Sequence, residues 1–257
     1  MGRKVALVTG AGRGIGKGIA VKLAQAGYDV GVHYHTSKAM AADTVREAEA
    51  AGGRAELLQA DISSMEGVAS LFAQFEASFE RLDVHVNNSG ITRMKPFLET
   101  TPALFDEVMN TDLKGLYFCS QYAARLMVEQ GIAGTIIQIS SNHASGCWNH
   151  ATVYAAAKAA VNKLTKNMAL ELAVHGIRVA GIAPGYTRIE RLDAAPVQQV
   201  NRAIDSISAR IPLGRFASPG EIGEAVVFLA SEGAGYITGT TLEMDGGALL
   251  PVWADRG

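Results

Sequence analysis

Seven short apolar runs recur along the chain, separated by longer amphipathic segments. They fall at 4–9 (KVALVT), 29–34, 54–59, 83–86, 135–140 (TIIQIS), 178–182 and 241–244. Brief runs rich in valine and isoleucine read as strands buried on both faces. Helical patterns at 15–26, 38–51, 64–79, 102–130, 151–174 and 221–230 lie between them, the first two stopped by Gly27 and by Gly52-Gly53. Strands alternating with helices require crossover connections, so the sequence predicts an α/β fold with one doubly wound, mostly parallel seven-stranded sheet flanked by helices. No linker or repeat divides residues 1–257, which read as a single domain. The irregular stretch 184–212 follows a strand's carboxyl end and is expected to form a lid over whatever that edge binds.

With 48% hydrophobic residues in 257, the chain can build a core without metal or disulfide staples. A net charge of −2, with no basic block, argues against nucleic acid or an acidic membrane as partner. Cys119 and Cys147 match no metal or redox motif, and two thiols in a chain of this length suit a reducing compartment. The N-terminus enters a strand at once, and no run of about 20 apolar residues occurs. These features predict a cytoplasmic globular protein with no metal site.

The first strand runs into TGAGRGIG at 9–16. A turn between strand and helix must reverse tightly and let a diphosphate approach the backbone, and side chains at Gly10 and Gly14 would obstruct it. The helix N-terminus then offers free N–H groups and its positive dipole end. The turn, with Gly10, Gly12, Arg13, Gly14, Ile15 and Gly16, is therefore a candidate dinucleotide site of the Rossmann type, Gly16 letting the helix pack closely on the sheet. The end of the second strand reads the cofactor's 2′-position, where an NAD enzyme places a carboxylate. This chain has Tyr34, His35, Thr36, Ser37 and Lys38 there. Nothing repels a 2′-phosphate and Arg13 can clamp one, which predicts NADP(H) over NAD(H).

Tyr154 and Lys158 form YAAAK in the helical stretch after TIIQIS, and four residues put both side chains on one face. A phenol is a poor acid–base catalyst at neutral pH; an adjacent ammonium and an oxidised nicotinamide both favour the phenolate. Ser141, thirteen residues before Tyr154 at the end of the strand, can polarise a carbonyl by hydrogen bonding.

With these motifs in this order, the chain resembles the short-chain dehydrogenase/reductase family over nearly its whole length. QADIS brings Asp61 and Ile62 to the adenine ring in that resemblance. NNSG at 87–90 matches the family's NNAG, with Asn88, Ser89 and Gly90 beside the cofactor and Ser89 in place of alanine. Pro184-Gly185 with Thr187 resembles the segment at the nicotinamide amide, and IPLGRF at 211–216 and MDGG at 244–247 resemble C-terminal signatures. The resemblance implies that Tyr154 exchanges the proton with the carbonyl or alcohol oxygen. Lys158 would bind the nicotinamide ribose and lower the tyrosine's pKa, Ser141 would orient the substrate, and hydride would pass directly to or from the nicotinamide. It also implies a homotetramer built through the helices at 102–130 and 151–174 and the C-terminal region.

Two positions depart from the family. Its active-site Asn, in TNLxG, is Asp112 in TDLKG here. Asp112 is expected to keep the main-chain role with an altered pH profile, its charge falling near Lys158 and needing protonation or a partner such as Lys114, while Asn110 points elsewhere. Ala180 stands where relatives have Asn.

His143, Trp148, Asn149 and His150, in the stretch NHASGCWNH at 142–150, are candidate substrate-site residues. A polar and aromatic lining suits a small polar substrate, sugar- or polyol-like. The alternative, a 3-oxoacyl-carrier-protein reductase, needs basic residues where this chain has Glu129, Gln130 and His175. Arg188 and Arg191 read as surface charge. A further alternative is a nucleotide-binding regulator without catalysis.

Overall fold

The computed structural model describes residues 2–190 and 204–250. Its strands are β1 (Val5–Val8), β2 (Asp29–Tyr34), β3 (Ala55–Gln59), β4 (Val84–Asn87), β5 (Thr135–Ile139), β6 (Arg178–Pro184) and β7 (Thr241–Met244). They form one sheet in the order β3-β2-β1-β4-β5-β6-β7, and every neighbouring pair is parallel. Between them run α1 (Gly14–Gln25), α2 (Lys38–Ala50), α3 (Met65–Ser78), α4 (Pro102–Met109), α5 (Leu116–Glu129), α6 (Thr152–Leu172) and α7 (Pro219–Ala230). The strand order reverses between β1 and β4, which opens a crevice at their carboxyl ends.

Each face of the sheet carries its own apolar layer. Ile19 and Leu23 of α1, Ala41 and Ala48 of α2, and Ile222, Val226 and Leu229 of α7 pack on Val8, Val30, Val32 and Ile182. Val68, Leu71, Phe72 and Phe75 of α3 with Cys119, Ala123 and Met127 of α5 pack on Leu7, Leu58, Ile136 and Val179. Strands covered on both faces read as continuous apolar runs, the pattern seen in the sequence.

The helix starts differ in a way that bears on the site. Ser64 caps α3, Thr101 caps α4, and Ser218 with Glu221 closes a capping box on α7. The residue before α1 is Arg13, whose side chain caps nothing. The amides of that first turn are thus left for another acceptor.

The single helical stretch expected at 102–130 is α4 and α5 joined through a π-helical turn, Asn110–Gly115. Ala180 is fully buried in the apolar layer. Of the expected lid at 184–212, residues 191–203, including Arg191, lie outside the described residues. No helix among the described residues is long and apolar enough to cross a membrane.

Candidate active site

Tyr154 and Lys158 lie one turn apart on α6, and the Lys158 ammonium is 5.6 Å from the centre of the Tyr154 ring. Lys158 is 3% exposed. Its Nζ donates to the Ile139 carbonyl at 3.3 Å and lies 3.2 Å from Oδ2 of Asp112, itself wholly buried. The other oxygen, Oδ1, accepts the Ile91 N–H at 2.7 Å. Burial alone would lower the lysine's pKa; the Asp112 charge, then the Tyr154 phenol, outweigh it and raise the value above that of a free lysine.

Asp112 sits within the π-helical turn, where the wider coil leaves backbone groups outside the α-helical ladder. The chain swings close to its neighbour here: a side chain at Gly115 would bring Cβ within 2.5 Å of the Ile62 carbonyl oxygen. Lys114, the partner expected from sequence, is exposed, and the Asp112 charge is met by Lys158. Asn110 faces the groove between this turn and α6.

This pairing carries a prediction. Asp112→Asn keeps an oxygen for Ile91 but removes the counter-charge of a buried ammonium. The site gains one net positive charge, so the pH profile of alcohol oxidation is expected to move down by about one unit or more. Initial rates from pH 6 to 10 test this, and an unshifted profile refutes it.

Ser141 follows β5, is 8% exposed, and accepts the His143 N–H at 3.2 Å to start a short 3-10 turn, Asn142–Ala144. That turn stacks the His143 ring on Trp148 at 4.0 Å and sets it edge-on to Tyr154 at 5.3 Å. Trp148 Nε1 donates to the Tyr186 hydroxyl at 3.2 Å. Tyr186, which sequence reasoning passed over, thereby joins the 142–150 loop to the end of β6. Burial lowers the His143 pKa and so favours the neutral ring. His150 is exposed and holds φ at 68°, and its carbonyl accepts the Lys95 N–H. Asn149 is likewise exposed.

At the crevice, Gly10 and Gly14 adopt φ of 62° and 57°. A Cβ on Gly16 would lie 2.2 Å from the Gly10 carbonyl oxygen and 2.5 Å from Asn88 Nδ2. Gly16 is thus required by the turn's own backbone more than by the sheet. Asn88 Nδ2 donates to the carbonyls of Thr9 and Gly10, and the N–H groups of Asn88 and Ser89 donate to Thr9 Oγ1. A Cβ on Gly90 would meet Asp112 and Lys158, placing NNSG between the glycine turn and the buried ion pair. The Gly14 N–H donates to a carboxylate oxygen of Glu190 at 2.8 Å.

Arg13, His35 and Thr36 are exposed beside the turn and Ser37 half-buried. The Tyr34 side chain is buried with Val30 and Val32, and its hydroxyl donates to Gln59 Oε1. Asp61 is exposed, with Oδ1 accepting the Ser63 N–H and Oδ2 3.8 Å from His35, and Ile62 is buried. Thr187 Oγ1 donates to the Gly185 carbonyl below Pro184.

A doubly wound parallel sheet with a glycine turn at its switch point defines the class: a Rossmann-fold protein. A family model described as enoyl-(acyl carrier protein) reductase matches residues 10–248. The uncharacterized oxidoreductase YohF of Escherichia coli (strain K12) is 40% identical, over 96% of each chain. The 3-oxoacyl-[acyl-carrier-protein] reductase FabG of Staphylococcus aureus (strain Mu50 / ATCC 700699) is 39% identical, over 96% of this chain and 98% of its own. The crystal structure of acetoin dehydrogenase from Enterobacter cloacae superposes with a TM-score of 0.88 at 39% identity, over 99% of this chain and 98% of that one. The chain belongs to the short-chain dehydrogenase/reductase family, nicotinamide-dependent oxidoreductases that act on alcohol and carbonyl groups.

Proposed function

We propose that the protein is an NADP(H)-preferring oxidoreductase that interconverts a ketone and a secondary alcohol on a small hydroxylated substrate, with Tyr154 as the proton-transfer group. The observation that carries this reading is the Lys158 ammonium, buried one helical turn from Tyr154 and clamped by Asp112 and the Ile139 carbonyl. A buried cation there favours the phenolate and holds the phenol ready to give or take a proton. The Ser141 oxygen accepts the His143 N–H, which leaves its hydroxyl hydrogen for the substrate oxygen.

The crevice residues fit a nicotinamide dinucleotide. The glycine turn holds Gly10 and Gly14 at positive φ, and its Gly14 amide already holds one anion, the Glu190 carboxylate. Gly10, Gly12, Arg13, Gly14, Ile15 and Gly16 would hold the diphosphate, with Asp61, Ile62, Asn88, Ser89 and Gly90 along the adenosine and ribose. Pro184, Gly185 and Thr187 would flank the nicotinamide. When bound, the cofactor supplies or accepts the hydride.

Exposed His35 and Thr36, half-buried Ser37 and exposed Arg13 support preference for a 2′-phosphate. Arg13→Ala is expected to weaken NADPH by about tenfold or more, the worth of a charge-assisted hydrogen bond, with NADH little changed. Equal losses on both cofactors in a binding titration would refute that role. Glu190→Gln removes a carboxylate from the diphosphate position, so NADPH binding is expected to tighten several-fold. Unchanged affinity would show that the carboxylate does not compete.

For the substrate, Asn142 Nδ2 and His143 Nδ1 are buried near Tyr154 with no hydrogen-bond partner among the described residues. Groups of this kind suit a ligand with oxygens beside the reacting carbon. Sugars, polyols and hydroxyketones have them, and acetoin, named in the structural relative, is a small hydroxyketone. Similarity to the 3-oxoacyl reductase keeps oxoacyl thioesters as the second reading. Against it, Gln130 is committed to Leu82 and Glu80, and Glu129 is exposed. Absorbance at 340 nm in both directions, with NADP(H) and NAD(H) against sugars, polyols, hydroxyketones, diketones and oxoacyl thioesters, separates them. Turnover confined to the thioesters would replace the first reading with the second. Cofactor binding with silence across the panel would favour a regulator.

A further inference from the structure

His33 lies on β2, 1% exposed, two residues before the exposed His35. Its Nδ1 accepts the Gly10 N–H at 3.0 Å, and its Nε2 is 3.1 Å from the Ala60 carbonyl. A carbonyl only accepts, so Nε2 carries the proton and Nδ1 is bare; one neutral tautomer satisfies both ends. The backbone repeats the connection: the His33 carbonyl accepts the Ala11 N–H at 2.8 Å, and the Tyr34 carbonyl accepts the Ala60 N–H at 3.1 Å.

Gly10 begins the glycine turn, and Ala60 directly precedes Asp61. The imidazole therefore spans from the end of β1 to the end of β3, across the strand between them. The sheet ladder ends where these segments leave it, with β1 closing at Val8 and β3 at Gln59. Past those ends the imidazole fixes the direction of the Gly10 amide. Burial lowers the His33 pKa to about 4, so the accepting form persists through the neutral range.

We propose that His33 is a positioning residue for the dinucleotide, registering the diphosphate-binding turn at Gly10 against the adenosine-binding segment at Ala60–Asp61 while touching neither cofactor nor substrate. The inference rests on the crevice being the cofactor site. It explains why a polar ring is buried in a strand that, after Asp29 at its start, is otherwise made of valine, glycine and tyrosine: an apolar residue there would leave the Gly10 N–H without its acceptor.

Two amide replacements separate the bonds without removing polarity. In His33→Asn the side-chain oxygen takes the place of Nδ1 and keeps an acceptor for Gly10. In His33→Gln the amide extends toward Ala60, and the Nδ1 position is empty. Titrations of NADPH and of adenosine 2′,5′-bisphosphate, by quenching of protein fluorescence, are compared across wild type and both variants, with melting temperatures alongside. We expect His33→Gln to lose at least tenfold in NADPH affinity and clearly less for the bisphosphate, with His33→Asn within threefold of wild type for both. Equal NADPH affinity in all three proteins, or affinities that only follow melting temperature, would overturn the proposal. If wild type binds neither NADPH nor NADH, the cofactor reading falls and this inference with it; normal binding by wild type and by His33→Gln overturns the inference alone.

Discussion

Tyr154→Phe is expected to lower kcat/KM by roughly a thousandfold, the scale of a lost general acid–base group, while changing cofactor affinity by less than about twofold. The ring stays the same size, so its edge-on contact with His143 at 5.3 Å and the Trp148 stack behind it persist. Only the hydroxyl oxygen, the proposed proton-exchanging atom, is lost. Lys158 keeps its contacts with Asp112 and Ile139, so the variant should fold and bind cofactor. Stopped-flow rates and a fluorescence titration on the same preparation test both halves. Residual turnover within tenfold of wild type would mean that another group moves the proton. Lys158→Met should look different: it strands a buried Asp112 carboxylate and is expected to lower stability by about 3 kcal/mol or more as well as activity.

The difference between these two variants also marks where the sequence was readable. Glycine turn, YAAAK and Ser141 are local patterns, each fixed by a tight turn or by one helical turn of spacing, and their placement follows once the strands are known. Asp112 and Lys158 are 46 residues apart and share no period; the resemblance put the charge at 112 near Lys158, and the folded chain shows that this lysine, not Lys114, is its partner. The π-helical turn is marked in the sequence only by weak helix formers, Asn110, Thr111, Asp112 and Gly115, which lower helix propensity without fixing the kind of turn.

The burial of Tyr34 went unread although the signal existed. Strand side chains alternate, so Tyr34 had to share a face with Val30 and Val32, and it does. His33 escaped notice for the opposite reason. Both faces of a parallel sheet are covered, so alternation cannot say whether a buried polar residue is a packing exception or a tie to a neighbouring loop. Tyr186 and Glu190 approach the site from beyond β6, where the sequence has no regular period to follow.

Buried histidines also set how the fold responds to acid. His33 and His85 are both essentially inaccessible, and burial lowers each pKa to about 4. In the unfolded chain they titrate near the ordinary value of about 6.5. Between these limits the unfolded state binds more protons, so stability falls as pH drops from about 6.5 and levels off below about 4. Each histidine then contributes a loss of about 3 kcal/mol, and two such losses rival the total stability of many domains. The shifted carboxylates act outside this window or weakly within it: Asp61, near His33, is held below its usual range, and the surface Glu221, beside Arg215, is held at about 2. Urea denaturation at pH 7, 6 and 5 should therefore show a steep fall well before the carboxylates protonate. His85→Gln, whose amide can still donate to Asn87 in place of the ring Nε2, should remove about half of that slope. An unchanged slope would place the acid sensitivity elsewhere.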